Sequence, residues 1–176
     1  PFAMVSEKAR MNCVTFMSPS KAFNMPGLTA SHALIFNPKL RRKFHAYLES
    51  CELDLGHVFA FLAIEAAYTH GTEWLDQCLA YIQGNIDYVD EFLKLHTPKI
   101  KAIRPQASFL VWLDCREMGL AQDALNDFFV DKAHLALNNG VAFGEEGEGF
   151  MRLNVASPRS VLEKAMKQLA DAYAAL

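Results

Sequence analysis

Ser18-Pro19-Ser20-Lys21-Ala22-Phe23-Asn24 sets one lysine between two hydroxyl residues, directly behind the apolar run Cys13-Val14-Thr15-Phe16-Met17. The stretch from Met11 to Met17 reads as a strand, and Pro26-Gly27 closes a turn beyond the lysine. A second short apolar run, Ala33-Leu34-Ile35-Phe36, stops at Asn37-Pro38, so the lysine loop bridges two strands. A primary amine held at a strand exit among small hydroxyls can form an imine with an aldehyde cofactor while the serines receive its phosphate. A surface lysine in an ordinary loop fits the same spacing, and the choice between the two readings rests on residues far along the chain.

After the loop the periodicity turns helical. Pro38 suits a first helical turn, with Leu40, Phe44, Tyr47 and Leu48 on one face. Val58 to Tyr68 is a strongly apolar helix, expected to be buried on most sides, and Gly71 ends it. Thr72 caps a long helix in which Trp74, Leu75, Cys78, Leu79, Ile82, Ile86, Val89, Phe92 and Leu93 recur at three- and four-residue steps until Pro98. Beyond Pro98, strands are expected at Ile100 to Ile103, Ser108 to Leu113, Leu135 to Leu137 and Phe150 to Val155. Helices are expected at Ala121 to Lys132 and from Ser157-Pro158 onward, the last with Val161, Leu162, Ala165, Met166 and Leu169 on its apolar face. The pattern is α/β, with a boundary inside the long helix and no internal repeat.

Composition narrows the function classes. With 52% hydrophobic and 21% charged residues the chain is globular rather than disordered. A net charge of −3 with scattered Lys and Arg offers no basic patch, which argues against nucleic acid as a partner. Cys13, Cys51, Cys78 and Cys115 are far apart and lack zinc-ligand spacing, so no metal is expected and buried free thiols in a reducing cytoplasm are the simplest account. No apolar run reaches the length of a membrane span and no basic-then-apolar leader opens the chain. The first residue, Pro1, points to a processed chain or to part of a longer one.

Phe150-Met151-Arg152-Leu153-Asn154-Val155-Ala156 is the second stretch with chemical content. Strand alternation sends Arg152 and Asn154 to one face and Met151, Leu153 and Val155 to the other. A guanidinium on a strand can grip a carboxylate with two parallel hydrogen bonds, although an arginine on a solvated strand face has the same pattern. Gly144-Glu145-Glu146-Gly147-Glu148-Gly149 is not a phosphate loop, because its three glutamates repel an anion and a strand follows it. The six histidines are dispersed and read as structural or surface residues, His32 being the most open case because it follows the lysine loop.

Two ordered stretches, Ser18-Pro19-Ser20-Lys21-Ala22-Phe23-Asn24-Met25-Pro26-Gly27-Leu28 and Gly149-Phe150-Met151-Arg152-Leu153-Asn154-Val155-Ala156-Ser157-Pro158-Arg159, resemble the class I/II aminotransferase superfamily of pyridoxal-phosphate enzymes. More narrowly they resemble its cystathionine and cysteine-S-conjugate β-lyase branch, which includes cystalysin. Trp74 and Leu137-Asn138-Asn139-Gly140-Val141-Ala142-Phe143-Gly144 fit that branch.

The resemblance implies that Lys21 carries pyridoxal 5'-phosphate and acts as the catalytic base, that Ser18 and Ser20 lie near the phosphate, and that Arg152 binds the substrate α-carboxylate. The superfamily often has a phosphate-gripping arginine eight residues after the lysine; Thr29 stands there, which fits the lyase branch and removes one anchor. Family members are roughly twice this length. The chain is therefore expected to be a C-terminal portion, with residues 1–75 ending the large cofactor-binding domain and residues 76–176 forming the linking helix and the small domain. The implied enzyme is a cytoplasmic homodimer acting on amino acids, a C–S lyase in the first reading and an aminotransferase in the alternative. A non-catalytic dimerisation or regulatory module is the reading from a different class.

Overall fold

The computed structural model describes residues 1–176, and the chain divides into two compact units, Pro1–Gln77 and Cys78–Leu176. In the first, Ser6 caps a short helix, α1 (Glu7–Met11), by accepting the Ala9 amide at 3.1 Å. The strand expected from Met11 is thus shortened. β1 covers Thr15–Met17 and pairs antiparallel with β2 (His32–Leu34) in the register Phe16 to Ala33. The lysine loop joins these two strands. Asn37 caps α2 (Pro38–Ser50), its Oδ1 accepting the amides of Lys39 and Leu40, and Pro38 occupies the first turn, where its missing N–H costs nothing.

α3 (Val58–His70) forms where the apolar run predicts it, but its burial differs from expectation. Only Ala60 is buried, while Phe59 is 67% and Phe61 59% exposed. A helix apolar on all sides needs neighbours on all sides, and this unit offers only α1, α2 and a short hairpin. Its buried apolar residues are small apart from Ile35.

α4 (Thr72–His96) is continuous through Gly84, which keeps helical geometry. The second unit builds a four-stranded sheet in the order β3-β4-β6-β5, from β3 (Lys101–Ile103), β4 (Leu110–Asp114), β5 (Asn138–Asn139) and β6 (Phe150–Asn154). Every pairing is antiparallel. Val111, Leu113, Met151 and Leu153 bury one face of the sheet. They join Ile86, Val89 and Leu93 of α4 and Leu162, Met166 and Leu169 of α6 (Arg159–Ala174) in one core. Val161, expected on that apolar face, is exposed.

The helix predicted from Ala121 to Lys132 is α5 (Gln122–Asp127) running into a π-helical turn, Phe128–Lys132. Phe128 and Phe129 are both buried, and the wider turn lets two adjacent rings enter the core. The Leu135 to Leu137 strand is displaced to Asn138–Asn139. Both leucines pack against the core from the connecting loop instead of joining the ladder.

All four cysteines are free, but only Cys115 is buried; Cys13 and Cys78 are half-buried and Cys51 is exposed. Burial, and then the nearby Asp114 carboxylate, push the Cys115 thiol from 9.0 up to about 12. Iodoacetamide at mildly alkaline pH is expected to label Cys51 in the native chain and Cys115 only after denaturation, a difference that peptide mass spectrometry reads directly. The linkage sign follows from a raised value: the thiol's contribution is full below its unfolded value and is lost as pH climbs toward about 12. Over that window stability is expected to fall by up to about 1.4 kcal/mol per pH unit. Native labelling of Cys115 as fast as Cys51 would contradict this assignment.

Candidate functional site

In the first unit the backbone after β1 winds through one helical turn, the Phe23 amide bonding to the Pro19 carbonyl at 2.9 Å and Met25 to Ser20 at 2.9 Å. Lys21 sits on this turn, exposed to solvent, and none of the ion pairs in the structure involves it. Ser18 and Ser20, which precede it on the same turn, bring their hydroxyl oxygens to 2.7 Å of each other. Both hydroxyls address one acceptor, the Ala30 carbonyl, at 2.6 Å from Ser18 and 3.4 Å from Ser20. The Ser20 amide also donates to Ser18 Oγ at 3.2 Å. The three residues singled out in sequence are therefore brought together in one turn, and each hydroxyl can rotate its hydrogen toward an incoming oxygen.

Phe23 anchors the turn. Its ring meets Tyr68 edge-on at 5.6 Å and stacks on Trp74 at 6.3 Å. Tyr68 also receives His32 edge-on at 5.7 Å, and His32 Nδ1 is buried without a hydrogen-bond partner. Thr29, where the resemblance would allow an arginine, ends the Pro26–Leu28 turn in the left-handed region with φ 47°. That conformation is costly for a β-branched residue.

Arg152 belongs to the second unit. As alternation predicts, β6 buries Met151 and Leu153 and leaves Arg152 half-exposed on the face opposite the core. Its cross-strand neighbours are Trp112 on β4 and Asn138 on β5. Nη2 donates to Asn138 Oδ1 at 2.8 Å, and the guanidinium lies over the Phe143 ring at 4.5 Å. Phe143 meets Trp112 edge-on at 5.6 Å, and Trp112 stacks on Phe150 at 5.6 Å. Arg152 Nε is buried and makes no hydrogen bond, and no carboxylate pairs with this arginine.

Arg116, against the same sheet, is the opposite case. It donates from Nε and Nη2 to the two oxygens of Asp114 at 2.9 and 2.7 Å, and this bonding holds the Asp114 carboxyl below its usual range. Arg116 is paired with a carboxylate of the same sheet; Arg152 has no such partner. The sequence reading assigns no role to Asn138, Phe143 or Trp112. Asn138 lies 14 residues before Arg152, and only strand register makes them neighbours.

The loop that carries Phe143 is closed by backbone contact. A Cβ on Gly140 would lie 2.1 Å from the Gly147 carbonyl oxygen. Gln122 bridges the loop ends, accepting the Gly149 amide at 2.6 Å and donating to Asn139 Oδ1 at 2.6 Å. The acidic Gly-rich run is thus a fastened turn rather than an anion cradle.

An exposed lysine turn between two short strands, a long helix and an antiparallel sheet with an unpaired arginine define the architecture of part of a pyridoxal-phosphate-dependent transferase fold. The chain belongs to the aminotransferase class I and II family, whose profile matches residues 3–169. Cystathionine beta-lyase PatB of Bacillus subtilis (strain 168) is 38% identical over 169 residues, covering 96% of this chain and 44% of the relative. Protein MalY of Escherichia coli (strain K12) is 34% identical over 172 residues, covering 97% and 44%. Cystalysin from Treponema denticola, whose crystal structure contains a pyridoxal 5'-phosphate cofactor, matches with a TM-score of 0.89 at 31% identity, over 97% of this chain and 43% of its own. The chain thus spans about 44% of the length of the curated relatives it matches.

Proposed function

We propose that this chain is the C-terminal portion of a pyridoxal-phosphate-dependent enzyme acting on amino acids. In the finer reading it is a C–S β-lyase that releases pyruvate, ammonia and a thiol from cystathionine or a related cysteine conjugate. The observation that carries the proposal is the Lys21 turn, on which an exposed lysine without a carboxylate partner follows two serines whose hydroxyls lie 2.7 Å apart. The relatives named cystathionine beta-lyase support the choice of reaction.

The residues present fit the cofactor. An amine suits its aldehyde, the two rotatable serine hydroxyls suit its phosphate oxygens, and the Arg152 guanidinium, which has no carboxylate partner in the structure, suits the carboxylate of an amino-acid partner. When bound, pyridoxal phosphate supplies an electron sink that stabilises negative charge at the substrate Cα. Lys21 Nζ is the amine that would hold the cofactor and, when free of it, would serve as the base for the Cα proton. Ser18 and Ser20 turn their hydroxyls from the Ala30 carbonyl toward phosphate. Arg152 would grip the substrate α-carboxylate with two parallel hydrogen bonds. Loss of a thiolate from Cβ, which takes up a proton to leave as the thiol, would yield an enamine that water hydrolyses to pyruvate and ammonia.

The test uses the whole enzyme. Added pyridoxal phosphate is expected to produce a visible absorption band, and borohydride reduction is expected to fix the cofactor on the Lys21 peptide. Lys21→Ala is expected to abolish both. Pyruvate release from cystathionine without a keto acid supports the lyase; turnover that depends wholly on a keto acid rejects it in favour of an aminotransferase. No band at all would leave the non-catalytic module standing.

The enzyme is further read as a cytoplasmic homodimer. Four cysteines without a disulfide support a reducing compartment, and the exposed apolar α3 supports a covering surface. Sedimentation at micromolar concentration checks the dimer. No helix is long and apolar enough to cross a membrane.

A further inference from the structure

We propose that Asn138 is a positioning residue for substrate recognition, orienting the Arg152 guanidinium through a neutral amide so that its full positive charge remains for the substrate carboxylate. The inference rests on Arg152 being the carboxylate-binding arginine.

Two contacts define the guanidinium. Asn138 Oδ1 accepts Nη2–H at 2.8 Å and the Phe143 ring lies 4.5 Å from Cζ; Trp112 is the register partner on the other side. Together they hold a flexible side chain in one place without cancelling its charge. Less rotamer freedom is then left to lose on binding. Asn138 is itself fixed by the ladder, opposite Arg152 in the β5–β6 pairing. The neutral acceptor matters because the same sheet shows what an acidic one does. Asp114 takes the Nε and Nη2 donors on one edge of Arg116 and offsets its positive charge, which makes the guanidinium a weaker partner for another carboxylate. At Arg152 an amide stands in that role, and Nε–H is left without an acceptor. The terminal nitrogens, bonded only to that amide, keep free donors for an acidic oxygen. A substrate carboxylate is an acceptor of the required charge and shape.

Steady-state kinetics of the whole enzyme with L-cystathionine decide the matter, with (methylthio)ethylamine as a competitive inhibitor that has no carboxylate. Asn138→Ala is expected to raise KM about tenfold, the change falling on KM rather than kcat. Asn138→Asp is expected to raise KM about 100-fold or more, because its carboxylate occupies the guanidinium as Asp114 does on Arg116. The inhibition constant of the amine and the cofactor absorption should stay at wild-type values in both variants. If Arg152→Ala raises KM while both Asn138 variants leave it unchanged, the positioning role is overturned and the Arg152 assignment stands. If Arg152→Ala leaves KM unchanged, the Arg152 assignment fails and takes this proposal with it. A fall in kcat and melting temperature with KM preserved would make Asn138 a structural residue only and overturn the proposal.

Discussion

Arg152→Ala is expected to raise the KM of the whole enzyme for its amino-acid substrate by about 100- to 1,000-fold. Each hydrogen bond to a charged partner contributes roughly 1.5–3 kcal/mol. Two parallel bonds to one carboxylate, allowing for the solvent that reaches a half-exposed side chain, amount to about 3–4 kcal/mol. Arg152→Lys is expected to recover only a small part of this, because an ammonium keeps the charge and loses the planar fork. The matching control is (methylthio)ethylamine, whose binding should not respond to either substitution. A KM within threefold of wild type in Arg152→Ala would move carboxylate recognition to another residue. The guanidinium has no carboxylate partner in the structure and only one side-chain hydrogen bond, to a neutral amide, which is the physical reason for expecting the large effect.

Asn85→Ala is expected to destabilise the second unit by about 3–5 kcal/mol, the combined cost of leaving several buried polar groups without partners. Asn85 is fully buried. Its Nδ2 donates to the Val155 carbonyl at 2.8 Å and to the Ser157 carbonyl at 3.0 Å, and its Oδ1 accepts Arg159 Nε at 2.9 Å. One side chain therefore ties α4 to the end of β6 and to the start of α6. Arg159 completes the junction, with its amide donating to the Tyr81 hydroxyl at 2.6 Å and its guanidinium 4.7 Å from the Tyr88 ring. Alanine removes both donors and the acceptor together and is too small to refill the space. Asn85→Asp should also be severe, since it keeps the acceptor for Arg159 and turns the donor to two carbonyls into a repelling oxygen. Urea unfolding followed by the fluorescence of Trp112 measures the loss. A change below about 1 kcal/mol would show that the junction is held by apolar packing alone.

Much of the local structure was legible because it is periodic. The three- and four-residue steps from Trp74 to Leu93 produce one continuous helix, and the alternation from Phe150 to Asn154 sorts Arg152 from Met151 and Leu153. Apolar runs on either side of Lys21 become a hairpin because a turn rich in Pro, Ser and Gly separates them. Where sequence reasoning missed, packing had overridden pattern. Leu135 and Leu137 look like a strand because they alternate, yet the core takes them from a loop and the ladder uses two asparagines instead. α3 looks like a buried helix because it is apolar throughout, but composition states a demand for cover and not whether neighbours meet it.

The sequence by itself determined the lysine loop between two strands, the continuous long helix and the strand that carries Arg152. Each of these depends on residues only a few positions apart, for which backbone geometry leaves little choice. Only the tertiary structure decided what surrounds the arginine. Asn138, Trp112 and Phe143 reach Arg152 through strand register and a loop closed by Gly140 against Gly147, and a one-residue slip would have turned every one of those side chains to the other face.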